Sequence, residues 1–364
     1  MILKEIVQFI EDKFPLENQE SYDNCGLTYG HLENELNGIL VCLDVTEEVV
    51  NEAIKKRCNL IISHHPVIFR GISKIDGSKM NLRVLEKCIQ HNIALYALHT
   101  NLDNHHSGVN KEISNRIGLE NPKILLPKTN TLVKLSVFIP IDSVDKVSHA
   151  LFEQGAGSIG DYTGCSFKVK GEGTFKANKN ANPAIGEKEI KESVDEIKAE
   201  YVVRTNDLNN VLNAMLDIHP YEEVAHDIIP IQNKDSEIGS GMIGFLDKEM
   251  GEIDFLNKIK KTFNIKSIRH TGLREKKIKK IAVCGGSGSF LLEQAQRNKA
   301  DAFITSDFKY HEFFDAENKI LILDIGHWES EQYTTELIGG ILMEKFSNFA
   351  IHLTEVNTNP VNYF

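Results

Sequence analysis

The 364-residue chain has little of several things, and each shortage removes a class of function. Its six cysteines (Cys25, Cys42, Cys58, Cys88, Cys165 and Cys284) contain no C-x-x-C pair. A thiolate zinc knuckle and a disulfide frame are therefore not expected, and the set reads as reduced thiols of a cytoplasmic protein. Cys42 and Cys284 sit in apolar runs and read as small core residues. No long basic run occurs, and the net charge is -11. General nucleic-acid binding through a positive field is not expected, although a local basic pocket for a phosphate is compatible with this balance. No apolar run approaches the length of a membrane span. The opening Met1–Ile10 lacks a basic segment followed by a long apolar one, so a signal peptide is not expected either. What is present, 41% hydrophobic and 26% charged residues, is the composition of a globular chain large enough for two or three domains.

The hydrophobic pattern divides the chain in three. Residues 1–126 alternate helical stretches (Leu3–Phe14, Thr46–Lys56, Leu82–His91) with short, near-continuously apolar strands (Gly38–Asp44, Leu60–Ser63, Ile93–His99). Thr46 is a natural N-cap with acids behind it in the first turn. Such strands between helices predict an α/β layer with a mostly parallel sheet. Residues 127–232 follow a different succession of strand (Lys134–Pro140), helix (Ser143–Gln154), two strands (Ser166–Lys170 and Val194–Val203), helix (Leu208–Ile218) and strand (Val224–Ile231). That β-α-β-β-α-β order predicts a ferredoxin-like α+β unit, with the polar stretch Ala177–Ile185 as a surface loop. From 233 to 364 the α/β pattern resumes. Helices are expected at Asp254–Phe263 and Phe290–Asn298 and from His311 and Ser330, and strands at Ile278–Cys284, Ala302–Thr305 and Ile320–Ile325. The reading is one split α/β domain, 1–126 with 233–364, interrupted by an insert.

Chemistry gathers at the ends of the apolar strands, where α/β proteins place their sites. His64 and His65 follow Leu60–Ser63 and precede Pro66. Adjacent strand residues face opposite ways, so the two imidazoles suit two metal ions better than one. Alternatively, one or both are ordinary buried or solvent-facing histidines. His99-Thr-Asn-Leu-Asp103 follows the next strand, and Asp103 could bridge two ions through its two oxygens. His105 and His106 compete with it but read as loop residues, while His99 could be a ligand or could orient one. His327 and Glu331 are four residues apart, so a helix starting near Gly326 puts both on one face. A capped helix start would explain that pair without a metal. The Gly285-Gly-Ser-Gly288 turn could hold a phosphate on its amides, or be only a tight crossing. Nearby, His311 could transfer a proton and Lys309 could meet an anion, although a plain helix start accounts for both.

Taken together, these residues resemble the Nif-three-like proteins, also called GTP cyclohydrolase I type 2 homologs. The resemblance is carried by Asp23-Asn-Cys-Gly-Leu27, Ser63-His-His-Pro66, His99–Asp103, Gly285–Gly288, Thr305-Ser-Asp307 with His311, and Gly326-His327 with Glu331. Two positions depart from it: Tyr22 where the family often has tryptophan, and Ser306 where it often has glycine. The resemblance implies a dimetal centre of His64, His65, Asp103, His327 and Glu331. It also implies toroidal homohexamers with the metals facing an inner cavity, and an insert like the PII or CutA proteins. Nitrogen and oxygen ligands without thiolate suit Zn, Mn, Fe, Co or Ni.

The expected function is a metal-dependent hydrolase, in which an activated water attacks a nucleotide or related small molecule and His311 or His99 moves protons. The alternative is a non-catalytic metal-binding hexameric scaffold or regulator, whose insert senses a ligand or docks a partner.

Overall fold

The computed structural model describes residues 1–363. The chain forms two compact units, one from residues 1–127 with the chain from 237 onward, the other from 128–236.

The first unit is mixed α/β and holds two sheets. In one, Ile39–Cys42, Leu60–Ser63 and Ala94–Ala97 run parallel, flanked by Ile351–Leu353 and by the antiparallel Gly26–Tyr29. Every residue of the three central strands is buried. They are apolar but for Ser63 because both faces are covered. Leu40, Ile61 and Leu95 pack with Val49 and Val84 of the helices Glu47–Lys55 and Met80–Gln90. Ile39, Val41 and Ile62 pack on the opposite side with Ile6 and Ile10 of the helix Leu3–Lys13. Thr46 caps its helix as expected, accepting from the Val49 amide at 3.4 Å.

The second sheet has six strands, in the order Arg269–His270, Leu321–Asp324, Ala302–Ser306, Lys277–Ser287, Gly239–Gly251, Leu119–Pro127. The middle three of the expected α/β half are parallel. Gly239–Gly251 and Leu119–Pro127 are antiparallel to their neighbours, and neither was legible as a strand. Pro122, Pro127, Gly239, Gly241 and Gly244 read as loop residues, but tertiary pairing overrides that local preference. The helix expected from His311 is a single 3-10 stretch, Tyr310–Ala316. The helix expected from Ser330 is two helices, His327–Glu331 and Thr334–Lys345.

A buried ion pair ties this sheet together. Arg274 donates from Nε to Glu252 at 3.0 Å and from its two terminal nitrogens to the carbonyls of Lys319 and Asp301, each at 2.7 Å. Burial alone would raise the Glu252 carboxyl, but the Arg274 amide and guanidinium outweigh it and hold it below its usual range. The stabilisation is therefore complete above pH 4.5, the ordinary glutamate value, and is lost as pH falls through the lower folded value. Glu252→Ala leaves a buried guanidinium uncompensated and should cost about 3–5 kcal/mol, read by urea unfolding at pH 7.

In the second unit an antiparallel sheet has the order Phe167–Lys176, Lys191–Arg204, Leu132–Pro140, His226–Ile231. The helices Val144–Glu153 and Leu208–Ile218 cover one face, closing a core of Leu135, Val137, Leu151, Tyr201, Val211 and Met215.

Candidate metal centre

The strand Leu60–Ser63 delivers its two histidines to fixed places because the backbone pairing continues past it. His64 N donates to the Cys42 carbonyl (3.1 Å) and His65 N to that of Leu43 (2.9 Å). Each ring is then oriented by a partner at Nδ1. The Leu98 carbonyl accepts from His64 (2.9 Å), Asp44 from His65 (2.7 Å), Asp307 from His327 (2.6 Å) and Asp23 from His99 (2.9 Å). A carbonyl or carboxylate only accepts, so all four rings carry a hydrogen on Nδ1, and Nε2 is left for a metal ion or a second proton.

Three of these Nε2 atoms, those of His64, His65 and His327, converge on one carboxylate. Glu331, from the short helix His327–Glu331, is 3% exposed. Its Oε2 lies 3.1 Å from His65 Nε2 and 3.2 Å from His327 Nε2, while Oε1 lies 3.7 Å from His64 Nε2. Asp103 Oδ1 stands 3.6 Å from His64 Nε2. His65 Nε2 and His327 Nε2 face each other at 3.4 Å. Two acceptor lone pairs at that distance repel unless a proton or cation lies between them. His64 Nε2, Asp103 Oδ1 and Glu331 Oε2 are buried with no hydrogen-bond partner. Orphaned polar atoms at this depth are costly, and a bound cation would satisfy all three. The residues thus fit a divalent metal with nitrogen and oxygen ligands. His65, His327 and Glu331 form one group of suitable spacing, and His64, His65 and His99 another.

Electrostatics point the same way. Burial alone would lower the His65 and His327 imidazoles. The carboxylates of Asp44 and Glu331 nevertheless push His65 up to about 10, and those of Asp307 and Glu331 push His327 up to about 11. Burial would raise Glu331, but His327, His64 and His65 hold it well below its ordinary value. Without an ion the cluster keeps protons at neutral pH, and a metal must expel them.

The sequence brought His64, His65, Asp103, His327 and Glu331 forward as ligands, and the fold gathers all five. It also places His99 beside them, its ring centroid 5.2 Å from that of His64. All of these but His64 border a cavity of about 810 Å³ that Tyr22, Phe69 and Arg269 also line. His311 is not among the lining residues; it is exposed and packs on Tyr310 and Phe314. Lys309 is likewise not among them. His105 stacks edge-on against Phe14 and His106 pairs with Glu237, which suits loop residues.

Sequence reasoning passed over Asp44 and gave Asp23 and Asp307 no role. The available signal was position: Asp44 and Asp307 follow strands whose neighbours end in the histidines. Asp307 sits at a φ of 59°. Such a backbone is costly for a residue without glycine's freedom, and it is kept where the side chain must be aimed. Two amides of the glycine turn are not open to a phosphate. The Gly285 amide already donates to Asn110 and the Gly286 amide to Ser330. Asp307→Asn keeps the shape of the residue but weakens its hold on His327. Metal affinity should fall by about 10–100-fold, measured by competition with a chelating dye.

Mixed α/β sheets with a buried histidine–carboxylate cluster at the strand ends define a protein able to bind metal. The chain belongs to the Duf34/NIF3 (NGG1p interacting factor 3) family, whose model matches residues 1–360. It is 38% identical over 369 residues to a Staphylococcus epidermidis protein named GTP cyclohydrolase 1 type 2 homolog, covering 100% of both chains. A Bacillus subtilis protein of the same name is 36% identical over 365 residues, covering 99% of this chain and 98% of that one. A Bacillus cereus structure described as related to NIF3 superimposes with a TM-score of 0.87 at 35% identity, covering 100% of this chain and 99% of the other. No helix among the described residues is long and apolar enough to cross a membrane.

Proposed function

We propose that the protein is a dinuclear, divalent-metal-dependent hydrolase acting on a nucleotide or related small molecule. The observation that carries this reading is the division of Glu331, one oxygen toward His64 and the other toward His65 and His327. Glu331, rather than Asp103, would then be the carboxylate placed to serve two ions. Asp103 and His64 would help hold one, and His65 and His327 the other. The ions would be drawn from Zn, Mn, Fe, Co or Ni. A pair of such ions would supply Lewis acidity and make a water acidic near neutral pH.

The chain's own residues do the rest. His99, held at Nδ1 by Asp23, presents Nε2 and is the group placed to move a proton; its position favours it over His311 for that work. Tyr22 and Phe69, with ring centroids 6.2 Å apart, offer flat surface for a heterocycle. The cavity wall is rich in carboxylates, and Arg269, its one Lys or Arg among the described residues, is already bonded to Asp324. A polyphosphate is therefore repelled until metal balances the wall.

The same reading takes the insert as a ferredoxin-like unit of the PII/CutA kind, supported by its β-α-β-β-α-β succession and strand order. It takes the protein as a cytoplasmic homohexamer, on the resemblance of its motifs. The test is turnover of GTP and a panel of phosphoesters by metal-loaded protein and by Asp103→Ala. Metal-dependent turnover that the variant loses supports a hydrolase. Absence of turnover on every compound replaces it with the non-catalytic scaffold.

A further inference from the structure

The insert holds a cavity of its own, about 440 Å³, within the size range of small-molecule sites. It lies on the sheet face opposite the two helices. Along Leu132–Pro140 the residues Leu135, Val137 and Ile139 enter the helix-covered core, so Phe138 points the other way. Along Lys191–Arg204 the core takes Ala199, Tyr201 and Val203, which sends Glu196, Lys198 and Glu200 to the cavity side. Phe138, Phe175, Ile185 and Tyr221 supply apolar wall, and the polar loop from Ala177 to Ile185 roofs it.

Glu196 is the anomaly. It lines the cavity, is only 9% exposed, and makes no ion pair with a lysine or arginine among the described residues. Its neighbour on the same face shows what a satisfied glutamate looks like here: Glu200 is held by Lys134 at 3.1 Å and Lys198 at 2.9 Å. The one nearby imidazole cannot compensate Glu196. His219 accepts from the Tyr221 amide at Nδ1 (3.1 Å) and meets the Phe138 carbonyl at Nε2 (3.1 Å), so it is a neutral tautomer. Burial and the facing Glu196 carboxylate push the Tyr221 hydroxyl up to about 12, so this neighbour stays neutral and brings Glu196 no positive charge. Gly173 leaves the space, since a Cβ there would collide with the Glu196 carboxylate. The remaining charged lining residues, Glu222 and Glu223, are also acidic. A buried carboxylate without a cation, walled by aromatic rings, is the arrangement that recognises an organic cation.

We propose that this cavity binds a small organic monocation, a primary or quaternary ammonium on an apolar or aromatic body, with its charge at Glu196 and its body against Phe138 and Phe175. The site is independent of the metal cluster.

The test is isothermal titration of the full chain with phenethylammonium chloride and benzyltrimethylammonium chloride, beside the uncharged 2-phenylethanol. Saturable binding of at least one cation is expected, with 2-phenylethanol at least tenfold weaker. Glu196→Gln should weaken the cation at least tenfold, while Glu331→Gln leaves it unchanged. Ala181→Trp fills the cavity from the loop rather than the sheet and should abolish binding. It decides the matter if Glu196→Gln does not fold. Equal binding of 2-phenylethanol, indifference to Glu196→Gln or Ala181→Trp, or no saturable binding of either cation overturns the proposal.

Discussion

Glu331→Gln should strip the purified protein of metal, from about two ions per chain to fewer than one by elemental analysis. The change keeps volume and shape, so the loss isolates charge and ligand chemistry. Glu331 is the side chain on which the cluster converges: His65 and His327 meet one oxygen and His64 the other. A neutral amide takes away the negative charge that both sides share, and its nitrogen is not a ligand for a divalent ion. The effect should exceed the roughly 10–100-fold that loss of a partner behind a ligand brings. A second readout is thermal. Saturating metal at about 1,000 times Kd stabilises a folded chain by about 4 kcal/mol, and the variant should lose that gain. Full metal content in Glu331→Gln would remove it from the ligand set.

Gly286→Ala should do nearly the same damage while every ligand remains in place. Gly286 has a φ of 60°, and a Cβ there would collide with Glu331 Oε1 and come within 3.3 Å of His327 Cε1. Its amide donates to Ser330, and its carbonyl accepts from Thr305 and Ser306, so the turn cannot easily retreat. Backbone strain accounts for about 1–2 kcal/mol, and displacement of the Glu331 carboxylate accounts for the lost metal. Gly340→Ala is the control, because a Cβ there meets nothing within 4 Å. Within the helix Thr334–Lys345 that change should be neutral or stabilising by up to about 1 kcal/mol. Metal content is the measurement for both.

The candidate ligands were legible because of where they stand. His64, His65 and His99 terminate runs of apolar residues too short and too uniform to be anything but buried strands, and the ends of such strands are where side chains become free to act. Glu331 was legible through its four-residue spacing from His327. What could not be read was direction. Which nitrogen of His65 carries its hydrogen depends on Asp44, twenty-one residues away and just past the neighbouring strand Ile39–Cys42. The placing of Glu331 between His64 on one oxygen and His65 and His327 on the other depends on a turn at Gly286 that admits its carboxylate. That turn looked like a phosphate cradle because a glycine run reports room without reporting what occupies it. His311 looked catalytic because it follows a strand closely, yet a 3-10 stretch sets it facing Tyr310 and Phe314. Two antiparallel strands of the six-stranded sheet, Gly239–Gly251 and Leu119–Pro127, were hidden by their own glycines and prolines, residues that local preference assigns to loops.

The most direct measurement is an anomalous difference map from crystals of the metal-loaded protein. Two peaks are expected, one on each side of the Glu331 carboxylate, the first beside His64 and Asp103 and the second beside His65 and His327. A single peak shared by all five groups, or density only outside the cluster, would contradict the account.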